Sequence, residues 1–491
     1  MTDAPTDQAR SGSFRSFGLG AGPLAALVLL AVPAPDGLTA PAWATAAVAV
    51  WMAIWWASEA LPLAATALLP LVLFPVLDVL DIKTAAAPFA NPLIFLFLGG
   101  FLIALAMQRW NLHRRIALVI ISQAGSHPAR LIGGIMFATA FLSMWISNTA
   151  TAMMMMPIAA SLAVILLPDS DGPVRPERSS DFATVLMLAT AYSASIGGLA
   201  TLVGSPPNAL LAAFMLQTYG IEIGFAQWMA IGLPLTLVLL PIAWFMLTRI
   251  SFRLPASENV AHGQVIDDEL DALGPLSVAE KRVAMIFSLV AFLWLTRPFL
   301  SAFSGIDGLS DAGIAIGGAL LLFVVPANWP DRIFLLDWEW AKRAPWDILL
   351  LFGGGLSLAQ AVDKTGLAIW IGSGLSVIGL WPVLLLVAAV VALIIFLTEL
   401  TSNTATTAAF LPVVGAVAVQ AELAPLLLAL PAAFAASCAF MLPVATPPNA
   451  IVFGSGYVGI PQMMRAGLWL NLIGVVAITA VTALLARLVF G

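Results

Sequence analysis

Two short polar words, each written twice, carry the chemistry of this chain. Ser147-Asn148-Thr149-Ala150-Thr151 returns as Ser402-Asn403-Thr404-Ala405-Thr406, and Gly204-Ser205-Pro206-Pro207-Asn208 returns as Ala445-Thr446-Pro447-Pro448-Asn449. Position 402 less 147 is 255, and 445 less 204 is 241, so two halves of similar length hold both words in the same order. Pro157 and Pro412 follow the first word at the same distance in each half. Repetition of this kind marks an internal repeat. The residue types offer neutral oxygens from carboxamides and hydroxyls. Pro-Pro interrupts a helix and frees backbone carbonyls and N-terminal N–H groups. Carbonyl and hydroxyl oxygens suit a hard cation such as Na+, whereas the positive ends of helices suit an anion.

All four words lie inside long apolar runs. In 491 residues, 61% hydrophobic and 9% charged, the mean hydropathy is +1.02, which excludes a soluble globule and reads as an all-α polytopic membrane protein. Backbone groups freed by Pro-Pro cannot face lipid, so they must line a cavity inside the protein, at the meeting point of broken helices. The few basic residues sit in short segments between apolar runs, so nucleic acid is set aside as a partner. A single cysteine, Cys438, excludes an internal disulfide, and His113, His127 and His262 are too scattered for a haem or metal cluster. No enzyme is expected, for want of a His, Cys or carboxylate cluster at membrane depth. Residues 1–20 are polar and rich in Gly and Ser, with Arg10 and Arg15 well ahead of the first apolar run; they read as a disordered cytoplasmic tail and not as a signal peptide.

A spanning helix needs about 20 apolar residues. Eleven runs qualify or nearly qualify: 20–34, 41–58, 61–77, 91–110, 184–217, 228–250, 282–300, 311–327, 346–362, 424–457 and 465–488. Two more stretches, 130–167 and 381–420, are each long enough for two short helices and carry a Ser-Asn-Thr word near the middle, as a re-entrant hairpin would. With the N-terminus inside, 16 of the 20 Lys and Arg fall on the cytoplasmic side, and Lys83, Arg297, Lys364 and Arg487 on the other. The C-terminus is then periplasmic. Equivalent points of the halves are five spans apart, an odd number, so the repeats have inverted topology. Gly99-Gly100 and Gly353-Gly354, just ahead of the hairpins, read as close helix packing. Segments 78–90 and 328–345 are amphipathic and suit interfacial helices. The acidic stretch within 251–280 reads as a solvated cytoplasmic connector.

SNTATAMMMMP, TSNTATTAAFLP, GSPPNAL and the run from Ser437 to Val452 resemble the divalent anion/sodium symporter family over nearly the whole chain. The resemblance implies a homodimeric, elevator-type secondary transporter of the inner membrane, with bound Na+ as the coupling ion. Its segments would be 21–127 and 281–367 as scaffold, 128–250 and 378–491 as transport domain, and 251–280 as connector. It implies a first sodium site from Ser143, Ser147, Asn148 and Gly204, and a second from Thr398, Thr401, Asn403 and Ala445. The anion would meet Ser147, Asn148, Thr149 and Ser205 from one repeat, and Ser402, Asn403, Thr404 and Thr446 from the other.

None of these is Lys or Arg, so positive charge for the anion has to come from helix N-termini and from Na+. Glu399, beside Thr398, reads as hydrogen-bonded or facing a wet vestibule. Met153 to Met156 cover every face of a helix turn and read as packing. Sodium-coupled uptake of a C4-dicarboxylate (succinate, malate or fumarate) is the function expected. Sulfate, citrate and anion exchange stand beside it, although exchangers of this family tend to carry basic residues at the sodium positions. A channel would need rings of like groups along a pore and no inverted hairpins.

Overall fold

The computed structural model describes residues 7–125, 127–164, 181–254, 263–300, 308–374 and 381–490. Arg175 and Arg178, two of the charges used for sidedness, lie outside them. In chain order the first helices are α1 (Asp7–Ala31), α2 (Ala40–Ser58), α3 (Leu63–Thr66), α4 (Leu69–Val76) and α5 (Ile82–Ala86). The first repeat proper follows as α6 (Pro92–Arg109), α7 (Leu112–Ser122), α8 (Pro128–Ser143), α9 (Asn148–Val164), α10 (Asp181–Gly198) and α11 (Pro206–Tyr219). Next come α12 (Phe225–Phe245), running into a π-helical turn at Met246–Ser251, then α13 (Gly263–Leu273), α14 (Val278–Leu300) and α15 (Asp311–Val324). A two-stranded antiparallel hairpin, β1 (Pro326–Asn328) and β2 (Ile333–Phe334), and one turn of helix, α16 (Trp338–Ala341), lead into the second repeat. That repeat is α17 (Trp346–Lys364), α18 (Leu367–Gly374), α19 (Val383–Thr398), α20 (Asn403–Gln420), α21 (Leu426–Ala436) and α22 (Pro447–Gly454), and α23 (Ile460–Phe490) ends the chain.

Both Ser-Asn-Thr words fall between two helices, α8 and α9 in one half, α19 and α20 in the other, so each word opens the second helix of its pair. Both Pro-Pro words open a helix after a break, α11 after α10 and α22 after α21. Among the described residues five helices have the length and hydropathy to cross a bilayer: Ala40–Ser58, Ile82–Arg109, Phe225–Ser251, Val278–Leu300 and Ile460–Phe490. The other six apolar runs are filled by α1, by α3 with α4, by α10 with α11, by α15, by α17, and by α21 with α22.

Two expectations are corrected. Helix α1 starts at Asp7, inside the stretch read as a disordered tail. Segment 328–345 is not an interfacial helix. Turn chemistry overrides its amphipathic pattern: the Asn328 amide donates to Asp331 at 2.6 Å, Pro330 sits between them, and Arg332 takes φ +52.

The chain packs as two compact units. One holds residues 1–94, 210–223 and 345–436; the other holds 95–209, 224–344 and 437–491. They do not follow the expected division into scaffold and transport segments. The core of the second unit is α10, buried at every residue from Phe182 to Gly198, and α21 in the first unit is buried throughout except at Leu427. Helices apolar on all faces belong in such interiors. The glycines do pack helices: a Cβ on Gly99 would lie 2.5 Å from the backbone of Ala315, and one on Gly354 would lie 2.1 Å from the Ala67 carbonyl.

Candidate functional site

Within the second unit, four oxygens from three segments converge at the start of α9. The Ser143 hydroxyl lies 2.6 Å from Asn148 Oδ1 and 2.6 Å from the Ala194 carbonyl. The Ala194 and Gly204 carbonyls face the same carboxamide atom at 3.0 and 3.2 Å. A hydroxyl carries one proton, so Ser143 cannot satisfy both of its acceptors. With Oδ1 inward, Asn148 adds an oxygen to a cluster already rich in them. Turned over, its amide would donate to Ser143, Ala194 and Gly204. Either way the spot demands positive charge, from N–H dipoles or from a cation.

The first unit repeats this arrangement. The Thr398 hydroxyl lies 2.7 Å from Asn403 Oδ1 and 3.0 Å from the Ala436 carbonyl, again with one proton for two acceptors. Thr401 makes a hydroxyl pair with Thr406 at 2.6 Å and donates to the Leu397 carbonyl at 3.0 Å. In the other half Ile146 takes the corresponding position, and the Thr151 hydroxyl is left buried without a partner. Glu399 is buried at the C-terminal end of α19.

The starts of α9 and α20 are weakly capped. Ser147 Oγ accepts only the Ala150 N–H, at 3.4 Å, and Ser402, the residue before α20, makes no side-chain cap at all. N–H groups of both first turns are therefore left for another acceptor. Ser147, Asn148, Thr149, Ser402 and Asn403 are half-buried, and Thr404 is buried. Ser205 is buried and its hydroxyl meets that of Ser437 at 3.0 Å. Thr446 caps α22 by accepting the Asn449 N–H at 3.3 Å, with Ala445 buried beside it.

The broken segments owe their shape to two asparagines that composition alone gave no role. Asn208 donates through Nδ2 to the Gly198 and Thr201 carbonyls at 2.8 and 2.7 Å. Asn449 donates to the Ala439 and Leu442 carbonyls at 3.2 and 3.0 Å, residues ten and seven earlier in both cases. Both Oδ1 atoms are buried without a partner. Thr201 completes the first knot, donating to the Met144 carbonyl and accepting the Gly204 N–H at 3.1 Å. Thus Ser143, Asn148 and Gly204 are brought together in one unit, and Thr398 with Asn403 in the other. Ala445 belongs to a different unit from the Thr398 cluster.

In the polar connector Asp267, Asp268 and Asp271 are exposed, while two acids pair with α7. Arg114 pairs with Glu269 of α13, and Arg115 pairs with buried Glu280 at 2.8 Å. His113, next to them, donates its Nδ1–H to the Met107 carbonyl at 3.0 Å. Burial, reinforced by the Arg114 charge, holds its imidazole below the ordinary histidine range.

Residues 21–490 match the model of the sodium:sulfate symporter transmembrane region. The chain belongs to that family. A sodium-dependent dicarboxylate transporter, SdcS, of Staphylococcus saprophyticus is 43% identical over 477 residues, which is 96% of this chain and 92% of the relative. SdcS of Staphylococcus aureus strain USA300 is 42% identical over 478 residues, 97% and 92% of the two chains. The solved YdaH transporter of Alcanivorax borkumensis shares the fold at a TM-score of 0.57 and 15% identity, over 92% of this chain and 99% of that one. MtrF of Neisseria gonorrhoeae is similar at 0.56 and 15%, over 91% and 95%. This family member is a multi-pass membrane protein.

Proposed function

We propose that the chain is a sodium-coupled symporter that carries a C4-dicarboxylate such as succinate, malate or fumarate across the inner membrane. One observation supports this above others: a hydroxyl, an asparagine carboxamide and a backbone carbonyl converge in the same way in both repeats, at Ser143–Asn148–Ala194 and at Thr398–Asn403–Ala436. Two equivalent oxygen clusters without a carboxylate suit two weakly held monovalent cations, bound and released in each cycle. The relatives named sodium-dependent dicarboxylate transporters match nearly end to end.

Ser147 and Gly204 complete the first cation site in this reading, and Thr401 and Ala445 the second. Hydroxyls and first-turn N–H groups at Ser147, Asn148, Thr149, Ser205, Ser402, Asn403, Thr404 and Thr446 take the substrate carboxylates. With no Lys or Arg among them, Na+ supplies the countercharge. The two Ser-Asn-Thr helix pairs act as re-entrant hairpins of inverted repeats. Segments 128–250 and 378–491 move as the transport part of an elevator against 21–127 and 281–367, in a homodimer with its N-terminus cytoplasmic.

The test is counterflow of labelled succinate, citrate and sulfate in proteoliposomes with Na+, Li+ or K+ outside. Succinate counterflow that needs Na+ is expected. Exchange that proceeds equally in K+ would replace symport by the exchanger reading, and faster citrate or sulfate would reassign the substrate.

A further inference from the structure

Three helix ends of the second unit meet at a polar cavity of about 590 Å³ that the transport reading does not use. The first residue of α10 (Asp181), the π-helical turn after α12 and the start of α23 bring Arg249, Arg253 and Arg465 to it. All three arginines are exposed, and none pairs with a carboxylate among the described residues. Asp181 is the acid in the lining, and its Oδ2 is engaged by the Arg253 backbone N–H at 3.0 Å. Three guanidinium groups against one carboxylate leave the lining at +2 (3 − 1).

Neutral donors complete the picture. Ser251 Oγ is buried without a partner. Gln462 uses its Oε1 to accept the Gly459 N–H at 2.8 Å, which leaves its NH2 group to donate. The N-terminus of α23, a helix of 31 residues, adds a positive dipole end. A cluster of arginines without a carboxylate partner among the described residues costs self-repulsion, and the last turn of α12 would need only one of them to complement its dipole. A π-turn in an α-helix often marks a functional position.

We propose that this cavity binds a phosphate-bearing anion, the headgroup of an anionic phospholipid. Arginine forks match phosphate oxygens in bidentate pairs. The position selects lipid, because the cavity lies where one membrane-crossing helix, Phe225–Ser251, ends and another, Ile460–Phe490, begins. Basic pockets between such helices take lipid headgroups. Ile250 and Phe252, in the same lining, offer an apolar rim for the glycerol and upper acyl chain.

The experiment is native mass spectrometry of the full-length protein in detergent, titrated separately with phosphatidylglycerol, phosphatidylcholine and inorganic phosphate. Each arginine beside an anionic headgroup contributes roughly fivefold, so the Arg249→Gln, Arg253→Gln, Arg465→Gln triple variant should lose phosphatidylglycerol affinity on the order of 100-fold. Phosphatidylcholine binding should not change. Phosphate competing at concentrations that leave lipid unbound would support the site with a soluble anion as its source. If the triple variant fails to fold, Arg465→Gln alone should cost about fivefold and Ser251→Ala a smaller loss. Equal binding of lipid and of phosphate by wild type and variants would overturn the proposal.

Discussion

At Ser143 and Thr398 a hydroxyl meets an asparagine carboxamide and a backbone carbonyl, in both halves of the molecule. Replacing either by Ala removes one oxygen from a proposed cation cluster and leaves the first turns of α9 and α20 untouched. The sodium concentration for half-maximal uptake should rise roughly tenfold to a hundredfold, the loss of one bond to a charged group. Saturating sodium should largely restore the apparent succinate affinity. Thr446→Ala should behave in the opposite way, weakening succinate binding even at saturating sodium. Uptake measured over a grid of both concentrations separates these patterns, and identical shifts from all three variants would remove the assignment. Asn208 and Asn449 act on stability instead. Each Nδ2 satisfies two carbonyls of a broken segment, so Ala at either position strands two buried acceptors and should cost about 2–5 kcal/mol, read as a lower melting temperature in detergent. Unchanged melting would show that water replaces the amide. What the sequence could reveal at this scale follows from chemistry. Asn148, Asn403 and their hydroxyl partners are visible as letters at a fixed spacing of five. The Ala194 and Ala436 carbonyls are not, because any residue supplies a backbone oxygen and only the fold selects which one.

The broken helices were legible for a related reason: Pro-Pro writes a helix start into the sequence, and repetition distinguishes a functional break from an accidental one. Segment 328–345 was misjudged because spaced tryptophans and charges mimic a helical face, whereas Pro330 and the Asn328–Asp331 contact enforce a turn. In the connector Asp267, Asp268 and Asp271 are exposed as the acidic run suggests, and only Glu280 is buried, because the fold brings Arg115 of α7 to it. The two breaks also differ in a way that can be tested. A Cβ on Gly204 would lie 2.6 Å from the Gly198 carbonyl, whereas the equivalent position in the second repeat is already Ala445. Gly204→Ala must therefore spread the 198–204 segment and pull a carbonyl away from Asn148. We expect sodium-dependent uptake to fall at least tenfold, while Ala445→Gly, which only removes a methyl group, keeps most of it. A Gly204→Ala variant with normal sodium affinity would show that this carbonyl is not a ligand.

For the whole molecule, the proposed topology has α17 cross the membrane, with its start cytoplasmic and its end on the other side. Lys342 and Lys364 flank that helix and both are exposed, so Lys342→Cys and Lys364→Cys on a Cys438→Ser background should react with an impermeant thiol reagent from opposite sides. Labelling from one side would show that α17 does not span and would remove the sidedness on which the inverted-repeat reading rests. In the proposed reading the two repeats each contribute one cation cluster, and thereby a means of coupling. The eight proposed substrate positions contain no Lys or Arg, so a dicarboxylate entering before sodium would meet only dipoles. Sodium should bind first and create the anion site. By linkage, the factor by which sodium tightens succinate binding equals the factor by which succinate tightens sodium binding, and couplings of this kind run to about 1–3 kcal/mol, or 5- to 150-fold. Calorimetry of purified protein should then detect succinate binding in Na+ that is weaker by such a factor in K+. Ser143→Ala and Thr398→Ala should shrink that difference at subsaturating sodium. Equally tight binding in K+ and Na+ would mean that the protein's own dipoles suffice, and the exchanger reading would take the place of symport.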